Sequence, residues 1–150
     1  MPDLMDLGTA EAVGGTLAGT GVGTGVDTGG GAAEPPGAVP CRVVVCRDCC
    51  CGTVKVTGAD HAAQTARLRE AAPVGISACL DVCEQANVIV VRPSAGGRAA
   101  GGRPVWLGLV NDPAATEAVA DWIRAGGPGV APRPPLLDRH VFPAPGRPAP

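Results

Sequence analysis

Seven cysteines, at positions 41, 46, 49, 50, 51, 79 and 83, stand against only two histidines, His61 and His140. Six of them fall into two groups, Cys46/Cys49/Cys50/Cys51 and Cys79/Cys83. The chain opens Met1-Pro2-Asp3-Leu4-Met5-Asp6, acidic where a secretory signal needs basic residues. The expectation is therefore a cytoplasmic chain with reduced thiols, in which metal or redox use outweighs a disulfide scaffold. Thiolates are soft ligands, suited to zinc or iron–sulfur centres and unsuited to Mg²⁺ or Ca²⁺. Neither group contains a His, which disfavours a Rieske-type centre.

Composition narrows the remaining classes. A net charge of −2 argues against a strongly basic nucleic-acid binder. No run of about 18 apolar residues is present, so no membrane-spanning helix is expected. Neither a Gly-x-Gly-x-x-Gly register nor a Gly-Lys-Ser/Thr triplet occurs, which removes the phosphate-cradling loops. With 23 Gly and 16 Pro the chain is not all packed domain, and with two Trp, one Phe and no Tyr its core must come from Val, Leu, Ile and Ala. Residues 1–40 carry five acids, no Lys or Arg, and Gly/Thr runs such as Gly19-Thr20-Gly21; they read as a disordered segment. A true start downstream of Met1 is the alternative there. Residues 126–150 read as a Pro-rich extended tail, in which Leu136, Leu137, Val141 and Phe142 are placed to dock an apolar groove, by preference on their own domain.

The domain proper is 41–125, where nine Arg and Lys meet eight Asp and Glu. Arg42-Val43-Val44-Val45 predicts a buried strand. Asp60 is an N-cap candidate for a helix from His61 to about Ala72, stopped by Pro73. Val74-Gly75-Ile76-Ser77 and Val88-Ile89-Val90-Val91 predict two further strands, and Val105 to Val110 a fourth after a Gly-rich turn over 94–103. Asp112-Pro113 reads as a cap with Pro at the first helical position. Ala115, Val119, Trp122 and Ile123 then give one apolar face, until Gly126 ends the helix. The order β-α-β-β-β-α, with the first two strands parallel and the last two a hairpin, is that of an α/β thioredoxin-like sandwich.

That order also positions the thiols. Cys46 ends the first strand and Cys79 follows the second, so a parallel pair joined by a helical crossover brings both groups to one sheet edge. Cys46-Arg-Asp-Cys-Cys-Cys51 parses as Cys-x4-Cys, and Cys79-Leu-Asp-Val-Cys83 is Cys-x3-Cys. With these spacings and the segment Cys79 to Val91, residues 41–125 resemble the thioredoxin-like 2Fe-2S ferredoxin family. Its nearest forms are the iron–sulfur small subunit of NADH–quinone oxidoreductase and free-standing actinobacterial (2Fe-2S) ferredoxin domain-containing proteins, which share the Cys-x-x-Cys-Cys-Cys-Gly run. The chain departs from the family after Ala86, where Asn87 stands in place of the Pro that is common there.

The resemblance implies a 2Fe-2S cluster with Cys46 and Cys51 on one iron and Cys79 and Cys83 on the other, Cys50 or Cys49 being alternatives to Cys51. It implies a one-electron carrier serving a redox partner protein, with catalysis done elsewhere; a homodimer stays open. Four thiolates around two ferric ions make a negative site that gains one more charge on reduction, tuned by hydrogen bonds to sulfur and by nearby charge. Backbone N–H groups near Gly52 and in the 84–87 turn are the candidate donors, and Arg47 a candidate counter-charge.

Two other functions compete. A structural zinc module is favoured by Cys46-x2-Cys49 and disfavoured by Cys-x3-Cys. A thiol–disulfide oxidoreductase would use Cys46 and Cys49, but Gly52 and Gly58 separate them from the helix that should lower the nucleophile's pKa. Plainer roles go to the rest. Cys41 reads as a buried structural thiol, Trp106 and Trp122 as core, His61 as a surface or capping residue and His140 as solvated. Arg42, Arg47, Arg92, Arg98 and Arg103 read as solvated surface ahead of a basic rim for an acidic partner.

Overall fold

The computed structural model describes residues 40–48 and 50–146. Residues 1–39, Cys49 and residues 147–150 lie outside that description.

The class is α/β. Strands β1 (Arg42–Cys46), β2 (Val74–Ser77), β3 (Ile89–Arg92), β4 (Val105–Leu107) and β5 (Val141–Phe142) form one mixed sheet in the order β2-β1-β3-β4-β5. β1 pairs β2 in parallel, Val43 opposite Val74 and Cys46 opposite Ser77; the β1/β3, β3/β4 and β4/β5 pairs are antiparallel. A strand turns successive side chains to opposite faces. Val43, Val45, Ile89, Val91 and Leu107 accordingly point into the main core, while Val44, Val90 and Trp106 point to the other face.

Two helices cover the first face. α1 (His61–Arg69) opens where the Asp60 carboxylate accepts from Ala63 N–H at 2.9 Å, and it buries Gln64, Thr65 and Leu68. α3 (Pro113–Arg124) opens where Asp112 accepts from Ala115 N–H at 2.7 Å. Its apolar face is the expected one, with Ala115, Val119, Trp122 and Ile123 all buried. Arg67 joins the two helices by a forked pair of 2.6 Å bonds to Glu117. Among the described residues no helix is long and apolar enough to cross a membrane.

The structure departs from expectation in three places. The 94–103 stretch, expected as a turn, contains the short helix α2 (Ala95–Ala99), opened by Ser94 Oγ accepting from Gly97 N–H. The fourth strand stops at Leu107, just before Leu109 takes a left-handed φ of 55°. The segment past 126 is more than an extended tail, and of the four residues expected to dock on their own domain Leu137 and Phe142 do so while Leu136 and Val141 are exposed. Leu137, in a 3-10 turn over Pro135–His140, is fully buried in the main core, and Val141–Phe142 complete the sheet beside β4. Phe142 meets Trp106 edge-on with ring centroids 6.0 Å apart. His140 is likewise not solvated: it is 8 % exposed, with Nδ1 3.0 Å from Gly108 O.

Candidate metal centre

A parallel β1/β2 pair leaves both carboxyl ends on one edge, and here the pairing runs past the strands. Arg47 N–H donates to Ser77 O at 3.1 Å and Asp48 N–H to Ala78 O at 3.3 Å. The chain leaving Cys46 is thereby strapped to the chain entering Cys79. The Cys46 thiol donates to Ala78 O at 3.7 Å and accepts from Leu80 N–H. It also shares a hydrogen bond with Cys51 and lies within electrostatic reach of Cys79.

Cys51 reaches Cys46 through a 3-10 turn over Cys50–Gly52, which Thr53 closes by donating from its N–H and Oγ1 to Cys50 O. Only glycine fits at 52, since a Cβ there would stand 1.8 Å from Arg47 O. Cys46 and Cys51 are each 1 % exposed and pack with Val88 and Val90, flanked by Leu80, Val82 and Ala86. Burial first, and then the hydrogen bond and charge of Cys51, push the Cys46 thiol up to about 12.

The second pair is more open. Cys79 is exposed and Cys83 half-buried, with their sulfurs 3.8 Å apart. Between them Asp81 turns the chain at φ 56°, a conformation Asp tolerates better than most residues, and its N–H donates to Cys79 Sγ at 3.4 Å. The turn after Cys83 is held by the segment that follows β4: Leu109 N–H donates to Gln85 O at 2.9 Å and Val110 N–H to Asn87 O at 3.3 Å. The Ala86–Asn87 peptide bond is cis.

The four cysteines expected as ligands therefore stand as two pairs on one edge. Among the described residues, no three or more His, Cys, Asp or Glu side chains converge on a single ion position. Cys50 is half-buried beside Cys51, and Cys49 lies outside the described residues. Cys41, at the far end of β1, is buried and donates to Gly126 O at 3.2 Å, as its structural reading expects. The N–H groups directed at sulfur come from Leu80 and Asp81, positions the sequence did not single out.

Arg47, read from the sequence both as a candidate counter-charge and as solvated surface, is drawn into the structure. It is not a solvated rim residue. Nη1 donates to Cys46 O at 2.8 Å and to Asn87 Oδ1 at 2.7 Å, Nη2 to Gln64 Oε1 at 2.9 Å, and Nε to Thr65 Oγ1 at 3.2 Å. A guanidinium has only donors, so it fixes which way both amides face. Asn87 Nδ2 then donates to Gln64 Oε1 and to Val110 O, and Gln64 Nε2 to Val110 O and Thr116 Oγ1. Asn87, Gln64, Thr65 and Thr116 are all buried. Desolvation lowers the Arg47 pKa from its ordinary value, while the charges of Cys51 and Cys46 act to raise it. The group stays a cation, its ordinary pKa lying far above neutrality.

Comparisons with protein-family models, with curated proteins and with solved structures find no match to this chain.

Proposed function

We propose that this chain is a thioredoxin-like ferredoxin, a one-electron carrier that holds a 2Fe-2S cluster with Cys46 and Cys51 on one iron and Cys79 and Cys83 on the other. The observation that carries the proposal is the meeting of two thiol pairs at the carboxyl ends of the parallel strands β1 and β2. The strand order β2-β1-β3-β4 around a β-α-β unit and a following hairpin supports the fold assignment.

The donor set fits the group. Two thiolates on one tetrahedral metal at about 2.3 Å lie ~3.8 Å apart, which matches the Cys79–Cys83 separation of 3.8 Å. Two pairs, rather than one closed set of four, suit a centre with two metal atoms each taking a pair. When bound, such a cluster supplies one-electron chemistry at a potential set by its surroundings. The chain's own part is to present the thiols, to aim Leu80 and Asp81 N–H groups at sulfur, and to shield the Cys46/Cys51 side with Val88 and Val90. The exposed Cys79 side is where a redox partner protein would approach.

A disulfide oxidoreductase at Cys46 is poorly supported. A nucleophilic cysteine needs its pKa lowered, and here burial and a neighbouring thiol raise it. The test is the visible spectrum of the anaerobically purified chain with iron and acid-labile sulfide counted. Two of each per chain, with absorbance bleached by dithionite, is the expected result. A colourless chain carrying one zinc, or one that stays metal-free after reconstitution with iron and sulfide, overturns the proposal.

A further inference from the structure

We infer that Arg47 is a positioning residue of the centre, locking the two ligand loops together and keeping a fixed positive charge within electrostatic reach of the Cys46 and Cys51 sulfurs. This rests on the carrier reading above and adds the residue that governs it. The Arg47 side chain bonds both loops directly: it reaches the carbonyl of Cys46 on one and Asn87, four residues past Cys83, on the other. Gln64 and Thr65 of α1 hold the guanidinium from behind, and Gln64 also bonds Asn87, so the three side chains form a closed ring of hydrogen bonds. The ring continues through Val110 O and Thr116 to the start of α3. Every acceptor it uses belongs to a buried residue, so none has water as a ready substitute.

Two consequences separate position from charge. A cation held within electrostatic reach of two sulfurs favours the more negative, reduced state of the centre. A planar fork cannot be replaced by an ammonium group, which donates from a single point and cannot span Asn87, Gln64 and Thr65 together.

The experiment compares wild type, R47M and R47K after reconstitution with iron and sulfide. The readouts are the midpoint potential, the rate of iron loss to a chelator, and the urea midpoint of the metal-free protein. R47M should disfavour reduction about tenfold, which for a one-electron couple is about 59 mV toward more negative potential. R47K should return the potential to within about threefold of wild type, since it restores the charge, yet lose iron at least tenfold faster because the fork is missing. A role in stability alone would lower the urea midpoints and leave the potentials of the loaded variants equal. R47M and wild type at equal potential, or R47K releasing iron at the wild-type rate, overturn the inference while the carrier reading stands. Should R47M fail to fold, the R47K release rate decides alone. A wild-type chain that assembles no cluster overturns the reading and the inference together.

Discussion

Replacing Gly52 with alanine should break the Cys46/Cys51 pair while sparing the fold. A Cβ at 52 would sit 1.8 Å from Arg47 O, where real contacts essentially never fall below 3.0 Å, so the two backbones must part by at least about 1.2 Å. Arg47 cannot readily yield, because its N–H is tied to Ser77 O and its guanidinium to Asn87 and Gln64. The displacement therefore falls on the 50–52 turn and carries Cys51 with it. Functional groups need holding to about 0.5 Å, so the shift exceeds the tolerance of a ligand pair more than twofold. The strain of forcing a methyl group into such a contact is about 1–3 kcal/mol, and much of it is relieved by the turn swinging outward. The direct assay is alkylation of the metal-free protein, read residue by residue by mass spectrometry. Cys51 is 1 % exposed and protected in the wild type, while Cys79 is exposed in both proteins and serves as the internal standard. Cys51 should react at least tenfold faster in G52A, and iron retention should fall by a comparable factor, with the urea transition still cooperative. A folded G52A chain that protects Cys51 and holds iron as the wild type does would refute the reasoning.

Two further outcomes test the frame around the site. Leu137 is fully buried in the main core, so L137A should cost about 2–5 kcal/mol and lower the melting temperature by roughly 10 °C or more; calorimetry showing almost no change would mean the 135–142 segment does not pack as described. The Arg67 hydrogen bonds hold the Glu117 carboxyl below its ordinary value, so that carboxylate's stabilising effect is complete above the unfolded pKa and is lost as pH falls through the folded one. The stability gap between wild type and E117Q should accordingly be constant above about pH 5 and close on acidification, and it should shrink in high salt because the pair is solvent-exposed; a gap that widens in acid would contradict the assignment.

Much of the framework was legible because its signals are local. Asp60 and Asp112-Pro113 announced both long helices, and β-branched runs announced the strands. That Cys46 and Cys79 leave the same sheet edge followed from strand direction, since a parallel pair has both carboxyl ends on one side. What stayed hidden depends on partners far along the chain. Arg47 looks like any surface arginine until Gln64 and Asn87, 17 and 40 residues away, close around it. His140 sits among prolines and gives no sign of burial, because Gly108 covers it from 32 residues upstream. The helix at 95–99 was masked by Gly96 and Gly97 at its centre, residues that argue for a turn by propensity. The strand at 141–142 is two residues long, too short to carry a period.

The burial of Leu137 and the pairing of Val141–Phe142 with β4 also set an order of events during synthesis. Both ligand loops, the two helices that back them and four of the five strands lie before residue 125, whereas the leucine that seals the core comes later. At translation rates of roughly 5–20 residues per second, about 3–12 s separate the emergence of a complete set of thiols from that of the segment that closes the sheet. During that interval the nascent chain carries its cysteines on an unsealed core. Oxidation of those thiols then competes with completion of the fold.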